Sequence, residues 1–254
     1  MPYIDIVGRW KARHEDAGAV ANRLAHLFAG LASIDALFNG WERGGMRHRS
    51  TVPRFVTLPP KTAELRDWIA ENPRFVSNHG HKQLIGYSAN ATTPENEQIR
   101  ASLWLSADLR AAPGRADNRL WITLFSNGDG LIHDGLPRLL AIVRYALVTL
   151  ATVWDCEWVG VLPGLYGNTR LQPGQLPPRY QRGWMVYLEP SLAARMRRLK
   201  DVVVEQLPGG AILATTVPTA VFDRGNEIHR AAARRLQDAL APLNRAAERK
   251  HEDG

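Results

Sequence analysis

Residues 202–216 read VVVEQLPGGAILATT. Pro208 and Gly209 suit the two central positions of a type II turn. Proline presets the first φ, and the second position needs a positive φ that glycine adopts without steric cost. The flanks, β-branched before the turn and apolar to threonine-rich after it, read as two strands folded back on each other. EWVGVLP (157–163) and GWMVYLE (183–189) are strand-like as well, so strands here follow strands. That order predicts an α+β protein with mainly antiparallel sheet or sheets and helices packed on them, rather than alternating β and α units. Trp184, Tyr187, Leu188 and the hairpin are expected at the centre of a sheet, with the last helix packed on it.

The N-terminal half fits the same class. YIDIVGRW (3–10) alternates Ile4, Ile6 and Trp10 against Asp5 and Arg9, the period of a half-buried strand. Val20, Leu24, Leu27, Phe28, Leu31 and Ile34 fall at helical spacing, with Asp16 or a neighbour as the cap. DALFNGWERGG (35–45) reads as a short helical turn closed by Gly44 and Gly45. TAELRDWIAEN (62–72) reads as a surface helix with Leu65, Trp68 and Ile69 inward and Pro73 as its stop. RASLWLSADL (100–109) and RLWITLFS (119–126) are strands, and Pro137 opens a long apolar helix. The last helix starts at Asn226 and presents Ile228, Ala232, Leu236, Leu240 and Leu243 on one side; residues 245–254 are expected to fray. Residues 163–182, dense in Gly and Pro, form a long connection that is functional or mobile, and are the boundary if two small subdomains exist.

A chain of 254 residues with 45% hydrophobic and 22% charged residues can bury a real core. The single cysteine, Cys156, excludes an intramolecular disulfide and fits a reducing compartment. The start lacks the basic and apolar regions of a signal peptide. The uncharged run from Tyr145 to Trp154 is far short of the roughly 20 residues of a bilayer span, so a cytoplasmic location without membrane contact is expected. The net charge of +7 is spread along the whole chain, with acids interleaved.

The search for chemistry finds no catalytic set. His79 and His81 in SNHGHKQ could reach one ion from a strand, but no further ligands are evident, and a polar loop is the simpler reading. Asn127, Asp129 and Gly130 imitate a calcium loop whose closing acid is missing. No phosphate-binding loop or nucleophile elbow is present. Cys156 stands between Asp155 and Glu157, which would suppress its reactivity, so a packed thiol is expected. That carboxylate pair lies at a helix end, in mild conflict with the dipole. In SLAARMRRL (191–199), Leu192, Met196 and Leu199 share a face while Arg195, Arg197 and Arg198 lie off it. Such a helix is either a solvated amphipathic element or a nucleic-acid surface.

RGWMVYLEPS, VVVEQLPGGAILATT and VFDRGNEIHRAAARRLQDAL, in this order, resemble the C-terminal half of the immunity protein 52 family. The matching positions include Gly183, Trp184, Tyr187, Leu188, Glu205 and Gly209, then Gly210, Thr215, Thr216, Phe222, Asn226 and His229. Trp10, the helix at 19–35, Phe38, Trp41 and IGYSAN (85–90) extend the likeness over nearly the whole chain, which differs from the pattern after EWVGVLP and in SLAARMRRLK. The resemblance implies one immunity-type α+β domain over 1–254, with no cofactor and no enzymatic activity. It also implies a bacterial antitoxin that binds a cognate toxin, commonly one with a restriction-endonuclease-like nuclease domain, delivered by contact or by secretion such as type VI. The implied mechanism is stoichiometric occlusion of the toxin.

A nucleic-acid mimic would be acidic, and this chain is basic. Either the toxin presents an acidic face, or the contact lies beside the catalytic groove, or arginines engage the carboxylates of a metal-dependent site. Candidate toxin contacts are Tyr166, Arg170, Arg179, Tyr180 and Arg182 in the acid-free loop, with Arg195, Arg197 and Arg198 on the basic helix. The alternatives are a basic nucleic-acid-binding protein, marked by steep salt dependence, and a metal enzyme using His79 and His81.

Overall fold

The computed structural model describes residues 3–11, 13–45, 54–58, 61–78, 81–94, 99–108, 118–126, 136–163, 183–196, 202–223 and 225–252. The elements run β1 (Tyr3–Arg9), α1 (Ala17–Ile34), a 3-10 turn (Ala36–Phe38), β2 (Glu42–Gly45), β3 (Arg54–Thr57), α2 (Thr62–Ala70), β4 (Pro73–Asn78), β5 (His81–Thr92), β6 (Ile99–Asp108) and β7 (Arg119–Ser126). They continue with α3 (Leu136–Val153), β8 (Trp158–Pro163), β9 (Met185–Leu188), the single turn α4 (Pro190–Ala193), β10 (Val203–Gln206), β11 (Ile212–Thr215) and α5 (Glu227–Glu252). One 11-stranded sheet holds them in the order β10-β11-β9-β8-β1-β7-β6-β5-β2-β3, with β4 also on β5. Every pairing is antiparallel, so the α+β class holds. Residues 164–182 lie outside the described residues, and the strands they link, β8 and β9, are neighbours in this one sheet.

Strand alternation sorts side chains between two cores. Ile4 and Ile6 of β1, with Leu120, Ile122 and Leu124 of β7, pack beneath α1, α2 and α3. Val7 belongs to the second core on the opposite face, where Leu236, Leu240 and Leu243 of α5 meet Val186, Leu188, Ile212 and Ala214. Asp16 caps α1 as its sequence suggests, its Oδ1 accepting from the Ala19 N–H at 2.8 Å. α3 is buried along Leu139, Val143, Leu147 and Leu150. No helix among the described residues is long and apolar enough to cross a membrane.

The turn at Pro208 has type II geometry. Gly209 takes φ 77° and ψ 5°, and the Leu207 carbonyl accepts from the Gly210 N–H at 3.2 Å. The hairpin stands at one end of the sheet rather than at its centre. β10 pairs only β11 among the described strands, and all four of its residues are exposed, so β-branched composition there reflects strand preference without burial.

Other local expectations change for similar reasons. Residues 35–45 make a 3-10 turn and then strand β2, because Trp41 must reach Phe28, whose ring it stacks on at 5.0 Å. Pro73 does follow the end of α2, and it also opens β4, where it pairs with Tyr87. Ile228 is 75% exposed and takes no part in the apolar face of α5. It lies in the first turn, where Asn226 Oδ1 accepts from the Ile228 and His229 N–H groups. α5 continues as helix through Glu252.

The end of α3 accounts for the carboxylates at that position. The Cys156 N–H donates to the Ala151 carbonyl at 2.9 Å, closing the helix with Asp155 at φ 46°. Glycine is usual at such a left-handed C-terminal position, and aspartate is among the few others that tolerate it. Here its carboxylate has a use: Arg23 Nη1 lies 3.0 Å and Arg13 Nη1 3.4 Å from Asp155 Oδ2. Arg23 also donates to the Val153 carbonyl, one of those left unpaired at a helix end. Buried Glu15 sits between the same two arginines, at 2.6 Å from Arg23 Nε and 2.9 Å from Arg13 Nε. Two cations at the helix C-terminus reverse the unfavourable field that two acids would create alone.

Trp184 is fully buried and donates its indole N–H to the Val217 carbonyl at 2.8 Å. Trp184→Ala should lower the unfolding free energy by about 3–5 kcal/mol, read from denaturant melts. A variant that unfolds like the parent would refute this placement in the core.

Candidate functional site

The helices cover the two faces of the sheet unequally. On the α5 side, the second core takes in β8, β9, β11 and Val7 of β1, and of β5, β6 and β7 only Trp121 packs against it. The same alternation that buries Leu103, Leu105 and Leu120 turns Trp104, Arg119, Trp121 and Thr123 to this side. The registers align them across strands: Trp104 opposite Trp121, Ser102 opposite Thr123, Tyr3 opposite Phe125 and Val7 opposite Trp121. Ser88, Asn90 and Thr92 of β5 extend the surface. Most of these side chains are half-buried, and Asn90 is exposed.

At the start of β7, Arg119 lies over two indoles. Its guanidinium carbon is 5.2 Å from the Trp104 ring centre and 5.1 Å from that of Trp121, and the indoles are 5.9 Å apart at 56°. Cation–π attraction to both rings holds the planar guanidinium in place. Arg100 Nε donates to Thr92 Oγ1 at 2.8 Å. Arg74 reaches from β4 across Gly86 to donate to the Ser106 hydroxyl. Tyr3 and Phe125 pair at 6.4 Å. Arg9 shares the face, placing four arginines there among the described residues, with Asp5, Glu42 opposite Thr92 and the strand-end position of Asp108. Burial pushes the Asp5 carboxyl above its ordinary range, partly offset by the Thr123 hydroxyl donating to it at 2.7 Å. Arginine held against aromatic rings has donors whose direction is already set.

The residues singled out from sequence fall elsewhere. Tyr166, Arg170, Arg179, Tyr180 and Arg182 lie outside the described residues, as do Arg197, Arg198, His79, Asn127, Asp129 and Gly130. Arg195 is exposed. Of the expected basic helix over 191–199, the described part through Met196 holds a single α-turn at Pro190–Ala193. Hydrogen bonds three residues apart follow it, Arg195 to Leu192 and Met196 to Ala193, as Leu192 and Met196 fold against the second core. His81 opens β5 opposite Asn78. Among the described residues no three His, Cys, Asp or Glu side chains group as a metal site would need. Cys156 is buried with its Sγ 3.7 Å from the Leu150 carbonyl, a packed thiol as expected. Burial comes first in pushing its pKa up, and Asp155 and Glu157 only add to that.

This face was missed because alternation reports which side of a strand is apolar, and nothing about which side chains meet on the other side. Its trace in sequence is Trp104 and Trp121 at polar-phase positions beside Ser102, Ser106, Arg119 and Thr123.

No family model matches the chain, and no curated protein matches it in sequence. Among solved structures, the Pseudomonas aeruginosa T6SS protein PA0821 is similar in fold. The two superpose with a TM-score of 0.51 at 11% identity, over 92% of this chain and 73% of that one.

Asp5 gives the face a measurable pH signature. Its folded pKa is raised, so the folded state holds this proton more tightly than the unfolded chain does. The resulting stability is present below the unfolded value, ordinarily about 3.9, and is lost as pH rises through the folded one. Asp5→Asn keeps an oxygen for the Thr123 hydroxyl and removes the charge. It should therefore raise the melting temperature near neutral pH, with the gain shrinking toward zero in acid. A pH-independent offset would show that Asp5 is not the group responsible.

Proposed function

We propose that the chain is an immunity protein that binds a cognate toxin delivered between bacteria and neutralises it by one-to-one occlusion in the cytoplasm. The observation that carries this reading is the likeness of fold, over 92% of the chain, to a T6SS protein. The ordered motifs that resemble the immunity protein 52 family support it independently, from Gly183 and Trp184 to Asn226 and His229. A broad sheet that carries tryptophan and arginine together on one face supports it physically. Occlusion needs a shaped, preorganised surface and no reaction centre, so on this reading the protein has no enzymatic activity and requires no cofactor. That the toxin is a nuclease of the restriction-endonuclease-like kind rests on the family resemblance.

A second reading, single-stranded nucleic-acid binding, is favoured by the arginines and aromatics on an antiparallel sheet. The two readings separate in one experiment. Co-expression with the toxin encoded by the neighbouring reading frame should restore growth, and the purified pair should run as a one-to-one complex. Single His79→Ala and His81→Ala changes should leave protection intact. Unprotected cells despite soluble, folded protein would remove the immunity reading, and steeply salt-dependent binding to generic DNA would favour the second.

A further inference from the structure

We propose that the outer face of the α1–α3 pair is a self-association surface, on which two copies of this chain meet as a dimer. This surface is independent of the immunity reading and lies on the side of the sheet away from Trp104 and Arg119.

The two helices are nearly uncharged on every side, in a chain that is 22% charged. α1, 18 residues long, holds one arginine, Arg23, and no lysine or acid; α3, of the same length, holds only Arg138 and Arg144. Each of the three is answered by a carboxylate of this chain: Arg23 by Glu15 and Asp155, Arg138 by Asp35 and Arg144 by Glu205. The Arg138 guanidinium holds the Asp35 carboxyl below its ordinary range, as a close ion pair should. A helix with water over its outer face ordinarily carries charge there. α2 and α5 do so, with Glu64, Arg66 and Asp67 exposed on one and Arg234 and Asp238 on the other. On α1 a stripe at steps of four and three residues exposes Asn22, His26, Ala29 and Ser33 instead, and α3 exposes Ala141, Tyr145 and Thr152.

Both stripes border one surface. α1 and α3 run antiparallel, and the groove between them is lined by Asn22 and His26 with Val153 at one end, and by Ser33 with Ala141 and Tyr145 at the other. Between these ends a Cβ on Gly30 would stand 2.7 Å from Thr149 Cγ2, so the helices touch through small side chains. Tyr145, 52% exposed, is the large side chain standing on this surface.

Charge and area select the occupant. A two-fold contact sets a surface against its own copy. A face whose charges are already compensated meets no like charge in doing so, and homodimer interfaces are the more apolar kind. A lipid surface would call for a cationic rim, and an acidic or basic partner for opposite charge; this face offers neither. Helices of 18 residues are about 27 Å long, and two packed at about 9 Å present a strip about 20 Å wide. Each copy would contribute about 500 Å² and the pair would bury about 1,000 Å², the area at which specific interfaces begin.

The test is sedimentation velocity on the full-length protein from low to high micromolar concentration. A reversible shift toward twice the chain's mass is expected, and raised salt should leave its affinity within about twofold, because no ion pair crosses the contact. Ala29→Glu and Ala141→Glu each bring a carboxylate onto the exposed stripe and should weaken association by about thirtyfold or more, through two like charges brought together without partners. Ala63→Glu on exposed α2 makes the same change elsewhere and should leave it within about twofold. If one of the two stripe variants melts early, the other decides at an unchanged melting temperature. A protein that stays monomeric throughout overturns the proposal, as does a dimer that the folded stripe variants leave intact. Association that falls steeply with salt overturns it as well, by placing the contact on charged groups elsewhere. So does a monomeric wild type whose binding to the neighbouring-frame toxin is lost in both stripe variants, by assigning the face to the toxin.

Discussion

β1 lies between β7 and β8, and no other described strand joins the part of the sheet built from residues 42–126 to the part built from residues 158–215. Both edges of its seven residues are hydrogen-bonded, and its two faces serve different cores, Ile4 and Ile6 under α1 and α3 and Val7 under α5. A slip of one residue would send each set to the wrong core, so the register of this strand is specified twice over. Gly8 adds a steric demand. A Cβ there would stand 3.0 Å from Leu150 Cδ2 and 3.1 Å from Cys156 Sγ, so an alanine would require these side chains to give by a few tenths of an ångström.

The same end of α3 is held by charges rather than by area. Arg13 and Arg23 bridge Glu15 and Asp155, linking the β1–α1 connection to the turn that starts β8. The Arg13 Nε contact with Glu15 is close but lacks hydrogen-bond geometry, while Arg23 Nε meets Glu15 squarely. Partly buried networks of this type add little net stability, because desolvation offsets most of the attraction. Their effect is on direction: they set where β8 begins relative to β1, and with it the pairing of Arg9 with Trp158. On the same face, the Trp158 ring lies over Gly160, where an added Cβ would come within 2.3 Å of it.

Among the described residues, the helices cover the two faces of the sheet unequally. Three helices lie on one face of the sheet, while on the other α5 packs over β8, β9, β11 and part of β1. Strands buried on both sides must be apolar throughout, whereas β6 and β7 need be apolar only at alternate positions. Arginines and tryptophans therefore occupy the remaining positions without disturbing the core beneath them. A surface mounted on hydrogen-bonded strands keeps its geometry better than one carried on a loop.

Periodicity and turn chemistry are local properties, and the sequence by itself determined what depends on them. Asp16 as a cap, the type II turn at Pro208 and Gly209, the strands through Trp104 and Trp121, the long helix after Pro137 and the antiparallel α+β class were all legible from short stretches. Where each element sits is not local. The hairpin at the sheet's end, β2 and β4 as strands and the single turn in the described part of the basic helix follow from which neighbours Trp41, Tyr87, Leu192 and Met196 find across the fold. The candidate site belongs to this second kind. That Arg119 lies against both Trp104 and Trp121 requires the register of β6 against β7, which is set between two segments and which no single stretch of sequence contains.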